Sequence, residues 1–192
     1  MHCRSGFSRD HKLPLVLNFV ASQAVWFLSL YGAGTGRPWL GGVALLVFAT
    51  AQLRLSQLPR KELLLALLAA ACGLVLDTGY VRAGLISYAQ PVPSPAVAPY
   101  WIVLMWANFG LTLDSCLRWL QRRLLLAAVC GAVGGPLAYE AGVRLGAATV
   151  TASPALVYGV LAVAWGSAVP LLLAVAARLS RHPGNRPGPV SG

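Results

Sequence analysis

Five acidic residues stand in this chain of 192, and two of them sit at one end of long apolar runs. Asp77 is followed five residues later by Arg82, and Glu140 is followed at i+4 by Arg144, on one helical face. A carboxylate inside a bilayer costs a few kcal/mol, so such a group points to a ligand or ion unless it only anchors a helix end. Two readings follow: a pair of interfacial ion pairs, or one polar vestibule holding Asp77, Glu140, Arg82 and Arg144. A third acid, Asp114, has Arg118 at i+4 and reads as a local pair at the opposite end. Amides supply the remaining polar groups. Asn18 and Ser22 share a face, Gln23 and Trp26 share another, and Asn108 lies with Thr112 on a third. They can hydrogen-bond between helices or line a binding site.

Other chemistry is missing. The three histidines, His2, His11 and His182, fall in the terminal tails, so no zinc site or Ser–His dyad is expected within the bilayer. Cys3, Cys72, Cys116 and Cys130 form no C-x-x-C and read as free thiols. There is no phosphate-binding loop and no dinucleotide fingerprint. Neither a metal nor a cofactor is expected, and the chain leans away from being an enzyme.

The elements that carry these residues are apolar. The chain is 57% hydrophobic, 10% charged and has a mean hydropathy of +0.68. A soluble domain carries about 25% charged residues. This composition excludes an ordinary cytosolic enzyme, a coiled coil and a disordered chain. The net charge of +10 does not imply nucleic acid, because the basic residues sit in short turns and form no single face. Six runs read as transmembrane helices: 13–33, 38–55, 62–80, 99–117, 123–139 and 154–177. The fold class is all-α, a six-helix membrane bundle over 13–179, with flexible tails at 1–12 and 180–192. The partners expected are the lipid bilayer and, through the Gly-rich fifth helix, a second copy or another membrane protein. Gly131-x3-Gly135 and Gly142-x3-Gly146 would allow that approach. Gly134-Gly135-Pro136 is expected to bend the same helix.

Turns carrying 12 basic residues alternate with turns carrying 3, which places both termini in the cytoplasm. Tyr31, Tyr80, Tyr88, Tyr100, Tyr139 and Tyr158 fall at the outer helix ends. A shift of 62 residues aligns 38–84 with 100–146 at 13 of 47 identical positions. That is a duplicated hairpin, helices two-three and four-five, or the effect of a Leu/Ala-rich composition.

Several motifs carry a resemblance. They are Asn18, Gln23, Trp26 and Phe27 in the first helix; Gly73 and Asp77 in the third; Trp101, Trp106, Phe109 and Leu113 in the fourth; and Gly134, Gly135, Pro136, Tyr139, Gly142 and Gly146 in the fifth. Together they resemble a bacterial family of small inner-membrane proteins, domain of unknown function 2878, over about residues 15–175. The resemblance implies a multi-pass protein of the bacterial inner membrane with no assigned activity, and an association with lipid-modifying genes. Three functions stay open: a small-solute carrier or binding protein, an enzyme or enzyme subunit in membrane-lipid modification, and a non-catalytic assembly partner. A carrier needs a polar cavity at the midplane. A lipid enzyme needs a lateral opening faced by two acids. A scaffold needs an exposed glycine groove.

Overall fold

A computed structural model describes the backbone of residues 12–181 and the side chains of residues 15–180. The expected tails, and with them the three histidines and Cys3, lie outside this range or at its margin. Among the described residues there are six α-helices: α1 (Lys12–Gly34), α2 (Trp39–Leu55), α3 (Pro59–Arg82), α4 (Tyr100–Thr112), α5 (Leu124–Arg144) and α6 (Pro154–Arg181). Two three-residue strands, β1 (Ile86–Tyr88) and β2 (Ala148–Val150), form an antiparallel ribbon that the sequence did not announce. Both described chain ends lie at the end of the bundle opposite this ribbon, since α1 ends and α6 begins beside it.

Four helices, α1, α3, α5 and α6, are long and apolar enough to cross a membrane. The other two are shorter. α2 has 17 residues and α4 only 13, about 20 Å at 1.5 Å per residue. The sequence reading carried the fourth helix to Leu117, but it stops at Thr112 and is followed by turns and a 3-10 segment, Arg118–Arg122. Local polar groups end it. The Ser115 hydroxyl donates to the Asn18 Oδ1 and to the Leu111 and Thr112 carbonyls, and the Gln121 amide donates to the Leu113 carbonyl at 2.9 Å. Side chains that bond nearby carbonyls compete with the helical ladder. α4 is nevertheless central, with Trp101, Trp106, Asn108 and Leu111 buried.

The helices pack as three hairpins, α1 on α2, α3 on α4 and α5 on α6. The two segments of the possible repeat, helices two-three and four-five, are thus each split between two of these hairpins. Glycines fix the partners. A Cβ at Gly41 would collide with Ser29, one at Gly73 with the Trp106 ring, and one at Gly135 with the Trp165 ring. These contacts lie between α2 and α1, α3 and α4, and α5 and α6. α5 stays helical across Gly134-Gly135-Pro136.

The 62-residue repeat is visible in the backbone. α3 and α5 end at Arg82 and Arg144 in the same motif, with Gly84 at φ +64° and Gly146 at φ +73°. The following amides bond back identically, Leu85 to Tyr80 and Ala147 to Gly142, as a left-handed helix cap requires. β1 and β2 are 62 residues apart and pair Ser87 with Thr149, so the ribbon joins equivalent residues about a local two-fold axis.

Candidate functional site

Asp77, on α3 near the ribbon, is fully buried. Its Oδ1 accepts hydrogen bonds from the hydroxyls of Tyr88 and Tyr139, the latter at 2.5 Å. Its Oδ2 accepts from the Trp106 indole at 2.7 Å. The three donors come from β1, α5 and α4, so the carboxylate ties three elements to α3. Gly73, one turn back on α3, lets the Trp106 ring approach closely enough to reach Oδ2. Indole can only donate, so this shell is built for an acceptor. Burial first, then the Asp77 charge, pushes the Tyr88 phenol well above its ordinary value and keeps it a donor.

The same three donors wall a cavity of about 470 Å³ between α1, α4 and α5, with Trp165 of α6 in its lining. That volume lies in the ~300–1,000 Å³ range of small-molecule sites. Eight aromatic residues line it, among them Trp26, Trp101 and Phe109. Trp106 and Trp165 stack with centroids 4.2 Å apart. α1 and α5 meet mainly near the ribbon, where Gly34 lies against Leu145 and Gly146, and Gly142 lies against Leu30. Below that contact the cavity is flanked by Phe19 of α1 and Leu137 of α5, 51% and 64% exposed, so it borders the surface that faces lipid.

Two polar atoms of the lining are buried without a partner. Asn108 donates from Nδ2 to the Ser22 carbonyl at 3.1 Å and the Ser22 hydroxyl at 3.3 Å, which fixes the amide orientation and leaves Oδ1 free. The Trp165 Nε1 is also free. A donor or acceptor left unmade in an apolar interior costs about 1–3 kcal/mol, so a ligand that supplies both bonds is favoured.

The residues singled out in the sequence fall into four groups. Gln23, Trp26 and Asn108 line the cavity. Asp77 lies directly behind its wall. Glu140, Arg144 and Arg82 take part in neither. Glu140 accepts from Arg144 at 2.7 Å and from the Tyr158 hydroxyl, and Arg82 donates to the Ala96 carbonyl at 3.3 Å. No hydrogen bond or ion pair joins Asp77 to Glu140 among the described residues. Tyr139 and Glu140 are adjacent on α5, so one turns inward to Asp77 and the other outward to Tyr158.

Asn18 belongs to a separate network at the far end of the bundle. It accepts from Ser115 and donates to Gln52 at 2.9 Å; Gln52 and Ser56 donate in turn to Glu62 at 3.0 and 2.6 Å. Asp114 pairs with Lys61 at 2.6 Å, whereas the Arg118 expected from i+4 spacing stands at 4.0 Å. Sequence reasoning missed Gln52 as the partner of Asn18 and Glu62 as the partner of Gln52, and Tyr88, Trp106 and Tyr139 as the shell of Asp77. One signal was available: Tyr139 occupies the position 62 residues after Asp77.

A family model described as protein of unknown function (DUF2878) matches residues 15–171. The chain belongs to this family. The match covers Asp77 and all three of its donors, and it runs through every residue that lines the cavity. No curated protein and no solved structure matches the chain. The cavity beside Asp77 is the candidate site of this DUF2878 chain. Of the glycines in the two expected motifs, Gly131 and Gly135 are covered by α6 and Gly142 by α1, whereas Gly146 lies beyond the end of α5 and is exposed.

Proposed function

We propose that this DUF2878 protein is a binding or carrier-like protein of the bacterial inner membrane that holds an apolar or amphipathic small molecule drawn from the lipid phase. The observation that carries this reading is the aromatic cavity of about 470 Å³ whose border between α1 and α5 meets lipid-facing side chains. The polar midplane cavity of a small-solute carrier is not what lines it; aromatic rings dominate, with Asn108, Gln23 and Thr112 as the polar minority. The ligand's apolar body would pack on Trp26, Trp101 and Phe109, and its polar end would meet Asn108.

The alternatives draw less support. A lipid-modifying enzyme would turn two acids toward the opening, but Asp77 is covered by Tyr88, Trp106 and Tyr139, and Glu140 is bonded to Tyr158 and Arg144. A scaffold would leave a glycine groove exposed, and Gly131, Gly135 and Gly142 of α5 are packed against α6 and α1.

Filling the cavity tests the reading. Ala138, half-buried in the lining on α5, is replaced by Trp. Solvent extracts of the purified proteins are then compared by mass spectrometry. The wild type should carry a small molecule in stoichiometric amount that Ala138→Trp lacks. Identical extracts from two folded proteins would refute a cavity ligand.

A further inference from the structure

Asp77 has no cationic partner among the described residues. It is fully buried, its three partners are neutral, and none of the ion pairs among the described residues includes it. The nearest arginine in sequence, Arg82, is spent on the Ala96 carbonyl, and no Lys or Arg lines the cavity. Neutral donors reduce the cost of a buried anion but leave its charge uncompensated in an apolar setting.

That charge is felt in the cavity, because each donor is also a wall. Tyr88, Tyr139 and Trp106 all belong to the lining while their O–H and N–H groups hold the carboxylate, and the Trp106 ring passes the contact on to Trp165, stacked on it. A ring that donates to an anion gains electron density, and its face attracts cations more strongly. Aromatic boxes of this kind suit organic ammonium groups. Asn108 is 4% exposed, and its unpartnered Oδ1 can accept an N–H from the same ligand.

We infer that the molecule held in the cavity is a lipophilic organic cation, an amine or quaternary ammonium with an apolar body, attracted by the Asp77 charge through the rings of Tyr88, Trp106 and Tyr139. This rests on the cavity reading above and adds the sign of the ligand's charge. The free Trp165 Nε1 leaves place for an acceptor atom elsewhere on the ligand.

Two ions of one shape and opposite charge decide it. Equilibrium dialysis of the full chain in dodecyl maltoside, blanked against empty micelles, is run with tetraphenylphosphonium and with tetraphenylborate. The chain's own charge of +10 would draw the anion, so a preference for the cation cannot arise from overall charge. Tetraphenylphosphonium should bind at a single site at least about tenfold more tightly than tetraphenylborate. Asp77→Asn should close that gap, and Ala138→Trp should abolish binding of both ions. If the two bind equally, or the borate more tightly, and Ala138→Trp still abolishes binding, the cation inference falls and the cavity reading stands. If neither ion binds, or Ala138→Trp changes nothing, both readings fall. The wild-type comparison alone reads the sign, so the result does not depend on Asp77→Asn folding.

Discussion

Asp77 acts as a clamp. One carboxylate holds β1, α4 and α5 against α3 through Tyr88, Trp106 and Tyr139. Replacement by Asn keeps the shape but turns an NH2 toward groups that are themselves donors. At least one buried donor is then stranded, at about 1–3 kcal/mol. Asp77→Asn should lower the thermal midpoint in detergent, read from tryptophan fluorescence. Tyr139→Phe removes only one of three donors and should cost less, about 1 kcal/mol. Equal midpoints for Asp77→Asn and wild type would show that the clamp contributes nothing to stability. Sequence reasoning found Asp77 and placed it inside its helix, but paired it with Arg82 and Glu140. The side chains that reach it come from 11, 29 and 62 residues away, and spacing along one helix does not reveal those.

The helices choose partners through small residues set against large ones. Gly110 is the tightest case on α4: a Cβ there would lie 2.6 Å from the Ala66 Cα and 2.7 Å from the Leu65 carbonyl oxygen, both backbone atoms of α3. Backbone cannot turn aside as a side chain can. Gly110→Ala should destabilise by about 1–3 kcal/mol or prevent accumulation of folded protein. Gly79 is the control. It lies in α3 with nothing within 4 Å of an added Cβ. Gly79→Ala should leave the thermal midpoint unchanged or raise it, since Ala is favoured over Gly in a helix by about 0.5–1 kcal/mol. At the helix ends, Gly146 has φ +73°, where a Cβ costs about 1–2 kcal/mol. Gly146→Ala should lower the midpoint accordingly, and the equivalent Gly84→Ala, at φ +64°, should do the same. Thermal scans of the four variants side by side would separate packing from backbone strain.

At the scale of the molecule, the bundle has a ribbon end and an end that carries both described chain ends. The 12-to-3 division of basic residues predicts that the second of these faces the cytoplasm. Reporter fusions should find a fusion after Gly192 cytoplasmic and an insertion within 90–98 on the opposite side. The reverse pattern would overturn the orientation and move the cavity's ribbon end to the cytoplasm. The local two-fold axis through Ser87 and Thr149 sets Asp77 of α3 opposite Tyr139 of α5, the residue at its equivalent position. One copy of the repeat supplies the acceptor and the other a donor.

The amino-acid sequence by itself determined the membrane class and the six apolar segments, and left the repeat and the roles of the acids open. Those features depend on local composition, on runs of about 20 apolar residues and on proline and glycine at helix ends. It did not determine that α4 stops after 13 residues, because the groups that end it, Ser115 and Gln121, act through hydrogen bonds to a neighbouring helix and to the turn itself. Nor did it determine the cavity. In a chain this apolar, hydrophobic patterning does not say which faces meet, since lipid and protein interior are equally apolar solvents for a leucine. Only the packing of Trp106 into Gly73 and of Trp165 into Gly135 decided that, and with it which aromatic rings close around the carboxylate of Asp77.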